Sequence, residues 1–240
     1  MLTLTPTETD ALLLSLRVGF WSVVICLPLG LCLALVLARC RFPGKWLLDG
    51  IVHLPLVLPP VVIGYVLLVL LGRRGLVGAW LHETFDITLA FTWKGAAVAA
   101  AVMALPLTVR AIRLSLEQMD RGLEDAARTL GAGELKVFLT ITLPLCLPGL
   151  ITGAILAFAR SLGEFGATIT FVSNIPGATQ TLPLALFAET QVPGDATPAI
   201  RLTIISIVVA LSALIASEFI ARRVAARIGA GIGARDGGAR

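Results

Sequence analysis

An all-α integral membrane protein with five crossings is what this sequence predicts, and three observations carry that expectation. Hydrophobic residues make up 57% of the 240-residue chain and charged residues 14%, with a mean hydropathy of +0.93, well outside the composition of soluble globular domains. The apolar residues gather into five separate segments, each near the roughly 20 residues that cross a hydrocarbon core. The lysines and arginines gather in the connections of one side. A single membrane domain over 1–240, with its core at about 15–221, is expected, and no second, soluble domain.

Residues 1–10 carry Glu8 and Asp10 but no Lys or Arg, unlike the basic start of a cleaved signal peptide. The first crossing is expected at 18–38, preceded by Arg17, whose stem snorkels to the interface, and kinked at Pro28. Arg39, Arg41 and Lys45 then flank a compact turn at Pro43-Gly44. The second crossing, 51–71, holds Pro55, Pro59 and Pro60 in its first half, so its regular helix should begin near Pro60, in the first-turn position that suits proline. In the next, less apolar connection, Leu76 to Trp80 is expected to lie flat at the interface. A third crossing is expected at 90–110, a fourth at 149–170 and a fifth at 202–221. Residues 173–198, rich in Pro, Gly and Thr, should form a loop with a brief helix over Leu182–Ala188 or a partly re-entrant turn. The tail, with Arg222, Arg223 and Arg227 before several glycines, is expected to be interfacial and finally disordered.

Charge placement sets the orientation. The first connection holds Arg39, Arg41 and Lys45, the third holds Arg110, Arg113, Arg121, Arg128 and Lys136, and the tail holds Arg222, Arg223, Arg227, Arg235 and Arg240. With five crossings these three segments share one side, while the other side has only Arg73 and Arg74 in its connections. The positive-inside rule then places the N-terminus outside and the C-terminus in the cytoplasm.

That orientation makes the polar stretch 120–144 cytoplasmic. Leu123, Ala126, Ala127 and Leu130 fall at i, i+3, i+4 and i+7, giving a short helix one stripe of small apolar residues. Glu124 and Asp125 lie in its first turn, where the macrodipole favours carboxylates, and Gly131 is placed to end it in the left-handed conformation. A soluble-looking, one-sided helix between membrane segments reads as a docking element for a partner outside the bilayer.

Chemistry of other kinds finds little support. No GxxxxGK[ST] phosphate loop is present, so ATP-driven work must come from a partner. His53 and His82 are not in an HExxH pattern, the serines have no histidine partner, and Cys26, Cys32, Cys40 and Cys146 form no CxxC pair and read as buried small hydrophobes. Metal, cofactor and nucleic-acid roles are therefore not expected, the basic balance being spent on membrane orientation. Gly149 and Gly153 form one GxxxG, read as close helix packing. Arg160 and Glu164, four apart in an apolar segment, share a helical face. Charges there either line a wet passage or form a structural ion pair near a break at Gly163 and Gly166. Ser161, Thr168 and Thr170 lie beside them, and Thr179 reads as a loop threonine.

The pattern Asp125-Ala126-Ala127, three residues, Gly131, nine residues, Ile141, one residue, Leu143-Pro144 resembles the EAA loop of permease subunits in prokaryotic ABC importers, with Asp125 at the family's Glu position and Glu124 just before it. RFPGK in the first connection, LPLVLPPVVIGY in the second crossing and ARSLGEFGATITFVSNIPG at the end of the fourth resemble the molybdate permease subfamily; sulfate permeases share a GE[FY]G segment. The resemblance implies a type I ABC importer permease fold and a homodimer in the cytoplasmic membrane. It further implies two P-loop ATPase subunits, which use ATP and Mg, and an extracytoplasmic molybdate-binding protein. It implies that Glu124, Asp125, Ala126, Ala127, Leu130 and Gly131 meet the ATPase, and that Arg160, Ser161, Glu164, Thr168 and Thr170 lie at the passage or gate for molybdate or tungstate. A permease for sulfate, thiosulfate or another small oxyanion, and an ATP-independent carrier or channel, remain open alternatives.

Overall fold

The computed structural model describes residues 5–193 and 196–236, and every regular element in them is helical. Helix α1 (Pro6–Arg39) opens on a capping box, in which Glu8 N donates to Thr5 Oγ1 at 3.3 Å and Thr5 N donates to the Glu8 carboxylate at 2.8 Å. It therefore starts well before residue 18 and runs unbroken through Pro28. Helices α2 (Lys45–Val57) and α3 (Pro60–Leu71) are split at Leu58-Pro59, and their axes turn through 116°. Pro60 heads α3, where its missing N–H breaks no helical bond. Helix α4 (Leu76–Phe85) occupies the connection after α3.

Helix α5 (Trp93–Glu117) is capped by Thr92, whose hydroxyl accepts from Gly95 N at 3.2 Å. It runs past residue 110 because the polar end continues the spiral, with Arg113 and Glu117 paired one turn apart at 2.7 Å. After α6 (Gly122–Thr129), the pieces α7 (Glu134–Val137), a π-helical turn (Phe138–Thr142) and α8 (Leu143–Leu162) make one continuous run from Glu134. The fourth apolar helix thus begins well before 149. Pro144 is tolerated because it comes just after the π-turn, where the regular hydrogen-bond ladder is already out of step. Its expected far end is a separate helix, α9 (Gly166–Val172), after a break at Gly163–Phe165. Helix α10 (Leu182–Thr190) is the brief helix of the last loop, and α11 (Thr197–Asp236) stays helical through the basic tail; residues 237–240 lie outside the described residues.

Helix α5 forms the centre. Ala96, Ala97, Ala99, Ala100, Ala101 and Ala104 are all buried, and these small side chains let α1 and α8 lie close against it. The GxxxG pair belongs to this packing: a Cβ on Gly149 would fall 2.5 Å from Ser115 Cβ, and one on Gly153 3.1 Å from Thr108 Cγ2. Phe171 and Val172 seat α9 in the same core beside Ile63 and Leu67 of α3. Outward faces are apolar, as a lipid solvent requires; on α11, Ile204, Ile207, Val208, Leu211, Leu214 and Ile215 are all exposed. Cys26 and Cys146 are buried as expected, whereas Cys32 and Cys40 are exposed, because α1 turns Cys32 outward and Cys40 lies just past its end. Among the described residues, four helices are long and apolar enough to cross a membrane, and the bent α2–α3 pair makes a fifth if taken as one broken crossing.

The α3–α9 contact is tight. A Cβ on Gly64 would lie 2.5 Å from Ala167 O and 2.8 Å from Thr170 Cβ. Gly64→Ala is expected to cost about 1–3 kcal/mol by pushing the two helices apart, read as a lower Tm in detergent. Gly50→Ala, where an added Cβ meets nothing within 4 Å, should leave Tm unchanged or slightly higher.

Candidate functional site

Two places on the chain combine polar chemistry with interrupted helices. The first is α6. Its C-terminus is a Schellman motif: Gly131 has φ +82°, its N–H donates to Arg128 O at 2.9 Å, and Ala132 N donates to Ala127 O at 3.0 Å. This ends the helix and leaves Leu130 at 88% exposure. Leu123, Asp125 and Ala126 are also exposed, and Ala127 is half-buried, so the small apolar stripe faces away from the bundle. Arg128 donates through Nε and Nη2 to Glu134 at 2.8 and 3.1 Å and through Nη1 to Asp125 at 2.8 Å, bracing α6 against α7. The hydrogen bond from Arg128 holds the Glu134 carboxyl below its ordinary range. A lowered carboxylate favours the paired state above its free pKa, so the brace is kept at neutral pH and lost only on acidification through the lowered value.

Glu124 is placed differently from its neighbours. It is buried, and it faces the bundle rather than the open side of α6. Arg39, the last residue of α1, grips its carboxylate at both oxygens, Nη1 to Oε2 at 2.6 Å and Nη2 to Oε1 at 2.8 Å, and Thr142 Oγ1 donates to Oε1 at 2.6 Å. Helical periodicity separates Glu124 from the stripe by about 100° per residue but gives no hint of Arg39, which is far away in sequence.

The second place is the break after α8. Arg160 Nη1 lies 2.8 Å from Glu164 Oε2, but off the hydrogen-bonding direction, so this buried oxygen is paired by charge and lacks an aligned donor. Glu164 Oε1 accepts from Ala167 N at 2.9 Å and so satisfies one orphan amide at the start of α9. The interruption of α8–α9 meets that of α2–α3: a Cβ on Gly166 would lie 2.8 Å from Pro60 Cβ. Two helix breaks thus touch, at the heads of α3 and α9. Ser161 is buried against α1, with its hydroxyl 2.5 Å from Ser22 Oγ and donating to Ala157 O at 2.7 Å. Thr168 is packed in the core, and Thr170, half-buried opposite Gly64, donates to Gly166 O at 2.9 Å.

Ser173, just past α9, was given no role by the sequence. It has φ +65° and ψ −176°, a region open essentially to glycine alone. Thr179 Oγ1 holds it there, donating to Ser173 O at 3.0 Å and accepting from Ile175 N at 3.0 Å. Ser173→Gly is expected to raise stability by about 1 kcal/mol through relief of this strain. A Tm in detergent equal to or below that of the unaltered protein would show that the strain is absent.

A family model described as "Binding-protein-dependent transport system inner membrane component" matches residues 27–226. The molybdenum transport system permease protein ModB of Escherichia coli (strain K12) is 61% identical over 219 residues, covering 91% of this chain and 96% of the relative. The sulfate transport system permease protein CysT of the same organism is 43% identical over 162 residues, covering 68% of this chain and 58% of the relative. Among solved structures, a bacterial ABC transporter involved in the import of the acidic polysaccharide alginate superposes with a TM-score of 0.72 at 17% identity, covering 92% of this chain and 80% of that one, which supports the fold. The chain belongs to the family of binding-protein-dependent transport system inner membrane components, and is a multi-pass permease subunit of an ABC importer.

Proposed function

We propose that this permease carries molybdate, and tungstate with it, across the cytoplasmic membrane by alternating access. The observation that carries the substrate is the 61% identity with a molybdenum permease over nearly the whole of both chains. A tetrahedral dianion cannot cross hydrocarbon, so it needs a watered passage that opens to one side at a time. The meeting of the two helix breaks at Pro60 and Gly166 supports a passage there, with Arg160, Glu164 and Thr170 beside it and Ser161 and Thr168 as its packed backing.

The chain acts as one half of a homodimer and binds neither cofactor nor metal. Two P-loop ATPase subunits, using ATP and Mg, dock on Asp125, Ala126, Ala127, Leu130 and Gly131, a reading supported by the exposed apolar stripe of α6. An extracytoplasmic binding protein delivers the oxyanion on the opposite face. The N-terminus is periplasmic and the C-terminus cytoplasmic, in keeping with the basic residues around Arg39, in the α5–α7 connection and in the tail.

Proteoliposomes holding the permease with its ATPase and binding protein test the proposal. ATP-dependent uptake of labelled molybdate, competed by tungstate and not by sulfate, is the expected result. Uptake of sulfate in preference would favour the sulfate reading, which the similarity to the sulfate permease keeps in view.

A further inference from the structure

We propose that Arg39, Glu124 and Thr142 form the linkage through which movement of α6 reaches the membrane helices. The inference rests on the reading of α6 as the ATPase docking helix, and it assigns Glu124 a role distinct from that surface. The three residues belong to three elements: Arg39 ends α1, Glu124 lies in the first turn of α6, and Thr142 ends the π-turn that leads into α8. Every contact is short and charge-assisted, 2.6, 2.8 and 2.6 Å, and the carboxylate is buried at 5% side-chain exposure.

Such a clamp transmits displacement because pulling it open would strand a buried carboxylate without its counter-charge. Helix α6 is otherwise tied to the rest of the chain by the short segments 118–121 and 130–133, by the exposed Arg128–Glu134 brace to α7, and by a longer, exposed bond from Arg121 Nη2 to Ala38 O at 3.4 Å, so the clamp on Glu124 is its buried charged tie. The π-turn has a specific part. One residue inserted into a helix rotates the next turns by roughly 100°, which brings Thr142 onto Glu124, and its wider hydrogen-bond loop lets the head of α8 pivot. Arg39, Glu124 and Thr142 are thus positioning residues: they act by tying α6 to the ends of α1 and the π-turn.

The test uses the full complex with ATPase and binding protein in proteoliposomes, with molybdate as the probe, and measures molybdate carried per ATP hydrolysed. Thr142→Val removes the hydroxyl at nearly constant volume and is expected to lower this ratio several-fold, while Thr142→Ser, which keeps the bond, stays within about twofold of the unaltered complex. Glu124→Gln should lower it about tenfold, with the ATPase still co-purifying. Coupling ratios for Thr142→Val and Glu124→Gln equal to that of the unaltered complex would overturn the proposal. So would loss of the ATPase from Glu124→Gln with an unaffected Thr142→Val, which would make Glu124 a docking residue. Failure of the underlying reading looks different: the unaltered permease would itself retain no ATPase or carry no molybdate, and the linkage would fall with it.

Discussion

Replacing Gly131 with proline is expected to strip this permease of its ATPase. Gly131 sits at φ +82° and donates its N–H to Arg128 O, and proline supplies neither that angle nor that donor. Its ring fixes φ near −65°, so the end of α6 must unwind, at about 3 kcal/mol or more. Leu130 and Ala126 then leave their positions on the exposed face proposed to meet the ATPase. Gly131→Ala separates strain from space: nothing lies within 4 Å of an added Cβ, so only the left-handed backbone is penalised, by about 1–2 kcal/mol. The expected order of ATPase retention on a tagged permease is glycine, then alanine, with proline near background. Full retention by Gly131→Pro, with normal membrane insertion, would mean that the ATPase docks elsewhere.

Breaking the Arg160–Glu164 pair should be the most damaging change in the membrane part of the chain. Glu164→Leu removes the acceptor for Ala167 N and leaves Arg160 without its counter-charge. One partner lost from a buried pair costs about 3–5 kcal/mol, and the lower end applies because the Arg160 side chain is 28% exposed and reaches a wetter surrounding. Arg160→Leu should cost more, since the Glu164 carboxylate left behind is only 2% exposed. Glu164→Gln keeps an acceptor for Ala167 N and should be the mildest. Thermal unfolding in detergent checks this ranking, and molybdate uptake checks whether the pair also serves transport. If all three variants melt with the unaltered protein, the pair contributes nothing to holding the break.

The family neighbourhood of α6 was legible because its signals are local. A stripe at i, i+3, i+4 and i+7, carboxylates in a first turn and a glycine at the end depend on residues within three helical turns of one another, and the Schellman bonds at Gly131 and Ala132 result from them. The prolines likewise placed the start of α3 at Pro60, since the constraint acts on the backbone of that very residue. Helix ends elsewhere were less legible. Hydropathy marks the apolar middle of a helix, whereas α5, α8 and α11 extend into polar sequence through Arg113–Glu117, the π-turn and the basic tail.

What the sequence determined was therefore the class: an all-helical membrane protein, its apolar segments, the short one-sided helix α6 and the charged pair four residues apart. Tertiary structure decided which way each side chain of that helix points and what it meets. Glu124 turned from the surface to Arg39 and Thr142, Ser161 to Ser22, and the break at Gly166 to the break at Pro60. The physical reason is the range of the forces involved. Periodicity, caps and proline act over a few residues, but burying a carboxylate requires a partner that only the packing of distant helices can bring within hydrogen-bond reach.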